Sequence, residues 1–141
     1  MRWIKWTGIA AAVLLIIACF MTWVTISLPP YHGEVRSEVV VSGVDASGTN
    51  FGKPAYFHFV TTFFFLLFTL RQRVWAKRAN LLVTAVNMAW AVRNYFIITM
   101  CRGGDCPEKH VAIYLIIIAS TLMLISALFP DFKQAREAPL P

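Results

Sequence analysis

The chain has 141 residues, 58% of them hydrophobic, and carries 13 Lys and Arg against 7 Asp and Glu, for a formal charge of +6. So apolar a chain has too little polar surface to cover a soluble core, and its basic residues lie between apolar runs. With no basic, aromatic-interleaved soluble surface, a nucleic-acid partner is excluded.

Four apolar stretches are legible, from Thr7 to Leu28, Ala55 to Leu70, Asn80 to Met100 and Val111 to Phe129. A hydrocarbon core of about 30 Å takes about 20 helical residues, so the first and third fit, the fourth is slightly short and the second is clearly short. Arg71 to Trp75 can extend the second by snorkelling to the headgroups. A re-entrant second segment would put the Arg71 to Arg78 cluster on the same side as the acidic segment before it, so it is read as spanning. The expected fold is an all-α membrane protein, a single integral domain over 1–141 built as a four-transmembrane-helix bundle. A β-hairpin-like outer segment over 29–54 joins the first two helices, and a cytoplasmic tail occupies 130–141.

Charge orients the bundle. Arg2, Lys5, Arg71, Arg73, Lys77, Arg78, Lys133 and Arg136 fall on one side, against Arg36, Lys53, Arg102 and Lys109 on the other. By the positive-inside rule both termini are cytoplasmic. Glu34, Glu38, Asp45, Asp105 and Glu108 all fall on the basic-poor side. Trp3, Trp6 and Trp75 mark the inner interface, and Trp23, Tyr31, Tyr56 and Tyr114 the outer one. The expected location is the bacterial cytoplasmic membrane.

Near the N-terminus, Ile16-Ile17-Ala18-Cys19 resembles a bacterial lipobox, in which the Cys is acylated after cleavage. The apolar run continues through Phe20, Met21, Trp23, Val24 and Ile26, as a retained span does, so the first helix is expected to remain. Between the first two helices, Glu34 to Val44 has the β-branched content of a strand, and the SGTNFGKP that follows is rich in turn residues. Pro54 suits the first turn of the second helix, where no amide hydrogen is needed.

Cys101 and Cys106 bracket CRGGDC on the outer, oxidising side, and a disulfide stapling the turn into the fourth helix is the natural reading. Zinc held by Cys101, Cys106 and His110 is a second reading, but it lacks a fourth ligand. A redox-active pair is the third. Cys19 is expected to be a small packing residue. Neither a metal nor another cofactor is called for.

The third helix has the least ordinary chemistry. Asn80, Asn87 and Asn94 are spaced by seven, so successive members are displaced by only about 20° and share a face with Thr84 and Ala91. That stripe is expected to face the other helices as interhelical hydrogen-bonding glue, with a polar path or ligand groove as the sharper alternative. Arg93 points about 120° away from Asn87 and lies near the middle of its stretch, somewhat toward the outside. Snorkelling outward with an outer-loop acid such as Asp45 or Asp105 as partner is expected to offset its cost, with backbone carbonyls, outer phosphates and an anionic ligand as the alternatives. The second helix is crowded with aromatics. His58, near its outer end, is expected to be solvated at the interface and is assigned no role.

The whole pattern resembles an uncharacterised group of small four-span bacterial membrane proteins in which Phe-x-x-Trp, here Phe20 to Trp23, ends the first helix before a β-like outer segment. That resemblance implies a cytoplasmic-membrane location and no activity. Four helices with an outer cysteine pair resemble quinone-linked disulfide-bond oxidases in topology alone, since those relay electrons between two pairs and this chain has no C-x-x-C. Claudin-like proteins share the β-rich first outer loop but carry paired cysteines within it, and this loop has none. With no catalytic motif, the chain is expected to be a structural or accessory subunit presenting an outer cap to a membrane-protein partner or to a second copy. A quinone-linked thiol/disulfide enzyme and a small transporter subunit are the alternatives.

Overall fold

The computed structural model describes residues 2–30, 32, 33, 35 and 37–130. Four helices and three short strands alternate as α1 (Arg2–Phe20), β1 (Thr22–Leu28), β2 (Ser37–Ser42), α2 (Ala55–Leu70), α3 (Val74–Thr99), β3 (Glu108–Lys109) and α4 (Val111–Leu128). By length and composition α1, α3 and α4 are apolar and long enough to cross a membrane, and α2 is a shorter apolar helix of 16 residues. The strands form one antiparallel sheet in the order β2-β1-β3. Tyr31, Glu34, Arg36, Lys133, Arg136 and the rest of the tail beyond Pro130 lie outside the described residues.

The first apolar stretch is not one helix. α1 starts five residues earlier than Thr7 and stops at Phe20, and Thr22 to Leu28 becomes the central strand of the sheet. The sequence TWVTISL explains the break: Thr22, Val24, Thr25 and Ile26 are β-branched and disfavour helix. Trp23 closes the helix end by donating its indole N–H to the Ala18 carbonyl at 2.9 Å, which satisfies one of the orphan last-turn acceptors. A bulge between Thr22 and Val24 in the β1–β2 pairing turns both Trp23 and Val24 inward. Trp23 is thus buried beneath the sheet, in place of its expected outer interfacial position.

Expected and observed bounds agree for α2, and within a residue for α4. α3 starts at Val74, so Trp75, Lys77 and Arg78 belong to its first turns and only Arg71–Arg73 connect it to α2. Lys77 folds back and donates Nζ–H to the Thr69 carbonyl at 3.1 Å, filling an acceptor at the end of α2.

Small residues let α1 and α4 approach closely: Gly8, Ala11, Ala12 and Ala18 on one side, Ala112, Ala119 and Ala127 on the other, are all buried. A Cβ on Gly8 would overlap the Ser126 side chain and stand 3.1 Å from the Phe65 ring. Gly8, near the start of α1, therefore marks the end of the bundle that also holds the close of α4. The sheet covers the opposite end. It is fastened there by backbone bonds from Ala55 N to Gly43 O and from His110 N to Trp23 O, each 2.9 Å, and by Thr25 Oγ1 against His110 Nε2 at 2.8 Å.

A disulfide links Cys101 and Cys106, with Cα atoms 4.1 Å apart. Inside its loop Arg102 and Asp105 exchange backbone hydrogen bonds of 3.0 and 3.1 Å. Gly103 and Gly104 make that reversal by adopting φ of 62° and 92°, where a side chain is disfavoured.

Candidate functional site

The polar interior is built by three helices. Along α2, Ala55, His58, Thr61, Thr62, Phe65 and Thr69 face inward, so an otherwise aromatic helix turns its four polar side chains to its neighbours. On α3 the buried face contains Asn80, Thr84, Asn87, Ala91 and Asn94, and α4 contributes Ser120.

Asn87 is the hub. Its Oδ1 accepts the Thr61 hydroxyl at 2.7 Å and lies 2.7 Å from His58 Nδ1, while its Nδ2 donates to Ser120 Oγ at 3.1 Å. A carbonyl oxygen only accepts, so His58 Nδ1 bears a proton and, in the neutral ring, Nε2 is a bare lone pair. His58, Asn87 and Ser120 are completely inaccessible to solvent. Trp23 flanks the imidazole edge-on, with ring centres 6.4 Å apart. His58 Nε2, Thr62 Oγ1 and Asn80 Oδ1 have no protein hydrogen-bond partner. His58 and Thr62 are one turn apart on the same face of α2.

The structure separates the residues singled out by sequence into unlike roles. Asn80 donates Nδ2–H to Thr69 Oγ1 at 2.9 Å and so joins α3 to α2 below the hub. Asn94, equally buried, spends its Nδ2–H on the carbonyl of Trp90 in its own helix at 2.8 Å, and bridges nothing. Arg93 is exposed, with its guanidinium 5.0 Å from the centre of the Trp90 ring. No ion pair with Asp45 or Asp105 forms among the described residues, and Asp45 Oδ1 is instead taken by the amide and hydroxyl of Ser47. The expected outer-acid clamp is therefore replaced by a stack on an indole. That indole is itself fixed, donating Nε1–H to the Pro54 carbonyl at 3.1 Å and packing on Phe57 with centroids 4.5 Å apart.

Cys101 and Cys106 hold each other, which removes both sulfurs as zinc ligands, and His110 Nε2 faces Thr25. Cys19 is free and buried beside Trp23 and Gly43. Among the described residues no group of three His, Cys, Asp or Glu could hold a metal ion.

His58 is the residue that sequence reasoning missed. It is not solvated at the interface but forms part of the hub, because α2 starts beneath the sheet and not at the water boundary. A signal was present: His58, Thr61, Thr62 and Thr69 recur at helical spacing and are the only polar side chains between Ala55 and Leu70 apart from the Tyr56 hydroxyl.

Comparison with protein-family models, with curated proteins and with solved structures gives no significant match to this chain.

Proposed function

We propose that this chain is a multi-pass protein of the bacterial cytoplasmic membrane, with four spans and both termini inside, and that it acts as a structural or accessory subunit presenting its outer cap to a protein partner. The three long apolar helices support insertion, and α2 reaches the headgroups through Arg71 and Arg73. Arg2, Lys5, Arg71, Arg73, Lys77 and Arg78 all belong to the bundle end away from the sheet, in keeping with the positive-inside rule.

The observation that carries the docking role is the cap itself. It is fixed to the helices at Gly43, Pro54, Thr25 and Trp23, yet β2 lies at the edge of the sheet with Val40 exposed on it, and Leu28 at the end of β1 and Val35 in the connection before β2 are exposed as well. A pre-ordered edge strand with apolar side chains suits strand addition or apolar docking by another chain, since little ordering entropy is lost on binding. Isolation in mild detergent is the test. A partner, or a second copy, should co-purify with the native chain and be lost from Val40→Lys, and a chain that remains alone at native abundance would refute the docking role. For the topology, labelling of substituted cysteines should place Lys77 and Lys53 on opposite sides, and the same side for both would end the four-span reading.

A second reading, a small transporter subunit, draws on His58 Nε2, Thr62 Oγ1 and Asn80 Oδ1, three buried polar atoms with no protein partner on the facing sides of α2 and α3. Solute or proton flux in liposomes that is abolished by His58→Phe would favour it over docking.

A further inference from the structure

α3 and the Met100 that caps it carry an exposed stripe of Leu82, Val86, Ala89, Arg93, Phe96 and Met100, spaced by alternating threes and fours along one side. Five of these residues are apolar, as a lipid-facing stripe should be, and one is a permanent cation. Its level in the bundle is set by its neighbour. Trp90 reaches Pro54, the residue that immediately precedes α2, and Arg93 lies one turn beyond Trp90 toward the sheet end. Thr99 ends α3 six positions further on, about 9 Å of helix at 1.5 Å per residue. An arginine side chain at that depth extends to the headgroup level.

We propose that Arg93, held against Trp90, is a binding site for the phosphate of an outer-leaflet phospholipid. The inference rests on the membrane reading above and adds a ligand to it. The guanidinium is oriented by an indole that is locked on both sides, by its hydrogen bond to Pro54 and by its contact with Phe57. The guanidinium is thus held over an aromatic ring by a cation–π contact, which leaves its N–H donors for an acceptor. No acid of the described residues occupies that edge. A phosphodiester supplies two oxygens at the spacing of the guanidinium fork, and it is the anion met by a side chain that emerges from an apolar belt. Phosphatidylglycerol fits better than phosphatidylethanolamine, whose own ammonium competes for the phosphate.

The test is competition between these two lipids, present in equal amounts, for the purified full-length chain in detergent, read by native mass spectrometry. The native chain should retain phosphatidylglycerol over phosphatidylethanolamine by about fivefold, the contribution of one basic group at an anionic surface. Arg93→Leu should abolish that preference, and Arg93→Lys should keep part of it, retaining charge without the planar fork. Arg102→Leu removes another exposed cation, stacked on Phe51 at 5.7 Å in the cap, and should leave the preference unchanged. An equal preference in the native and Leu chains would overturn the site. So would displacement of the lipid by millimolar glycerol 3-phosphate, which would make the ligand a free phosphate. Carbonate extraction of membranes separates the two claims: release of the native chain would refute the membrane reading, whereas an inserted chain with no Arg93-dependent lipid refutes only this site.

Discussion

His58 and Asn87 meet across the α2–α3 interface, with Nδ1 2.7 Å from Oδ1, and the same Asn87 oxygen accepts the Thr61 hydroxyl. One carbonyl oxygen thereby sets the register of two helices, and the amide nitrogen on the other side of the carboxamide ties in α4 through Ser120. The arrangement is asymmetric. Asn87 has three partners in the network, whereas His58 has one and leaves its other ring nitrogen unpaired.

That asymmetry predicts unequal costs. Asn87→Leu strands the His58 N–H and the Ser120 hydroxyl in an apolar interior, while the Thr61 hydroxyl keeps the carbonyls of Phe57 and His58, each at 3.1 Å, for a loss of roughly 1–3 kcal/mol. His58→Phe leaves Thr61 on Asn87 and removes the unpaired nitrogen, so it should cost nearer the ~0.6 kcal/mol average of buried interhelical pairs. Denaturation in mixed micelles measures both. A His58→Phe chain as unstable as the Asn87→Leu chain would show that the imidazole, not the carboxamide, organises the interior.

Much of the helical frame was legible because long apolar runs admit few alternatives, and the inward Asn stripe followed from a spacing of seven. The end of α1 was not, because Met21 to Leu28 is as apolar as a span and differs only in its β-branched content, a signal that hydropathy does not weigh. The strand pairing was illegible for a related reason. β1, the partner of β2, was hidden in that apolar run, β3 reaches it only after α2 and α3, and nothing local to Glu108 and Lys109 specifies a strand. Arg93 was placed in the outer half of its stretch, but its partner was illegible, because the indole it lies over is held in place by the Trp90–Pro54 bond.

Gly43 is needed for space. A Cβ there would stand 2.6 Å from Trp23 Cζ2, 2.8 Å from the Cys19 carbonyl oxygen and 3.0 Å from Ala55 Cβ, none of which is the free end of a flexible chain. Gly43→Ala should displace Trp23 and weaken the bond from Ala55 N to Gly43 O, at about 1–3 kcal/mol for overpacking. Shifted tryptophan emission and faster proteolysis of 29–54 would report it. Gly52→Ala is the control: its φ of +71° adds backbone strain of about 1–2 kcal/mol but meets nothing within 4 Å, so the tryptophan signal should stay in place.

The turn after β2 should respond to acid. Asp45 is held below the usual carboxylate range chiefly by the Ser47 hydroxyl, then by the Ser47 amide, with a smaller contribution from Lys53. A depressed carboxyl stabilises the fold above its unfolded pKa, and that contribution is lost as pH falls through the lower folded value. The turn should therefore be indifferent to pH from neutrality to about 5 and loosen only below the ordinary Asp range near 4. In a carboxyl-detected titration Ser47→Ala should move the Asp45 midpoint upward. An unchanged midpoint would assign the depression to the Ser47 amide, which the variant keeps, and to Lys53.

The three cysteines should divide by chemistry. Cys101 and Cys106 are joined, and Cys19 is free but inaccessible between the helix end and the cap. An alkylating reagent should label none in the folded chain, one after denaturation without reductant, and three after reduction. A ring closed over so few residues contributes only about 2 kcal/mol. It also lies beyond the bonds that fasten β3, from His110 N to Trp23 O and from Thr25 to His110. The double variant C101S/C106S should therefore keep the cap in place, lose no more than that stability, and show faster proteolysis only between Cys101 and Cys106. Release of the whole cap would mean that the disulfide, and not the His110 bonds, holds the sheet to the bundle. Labelling of Cys19 in the folded native chain would instead show that the helix end beneath Trp23 opens.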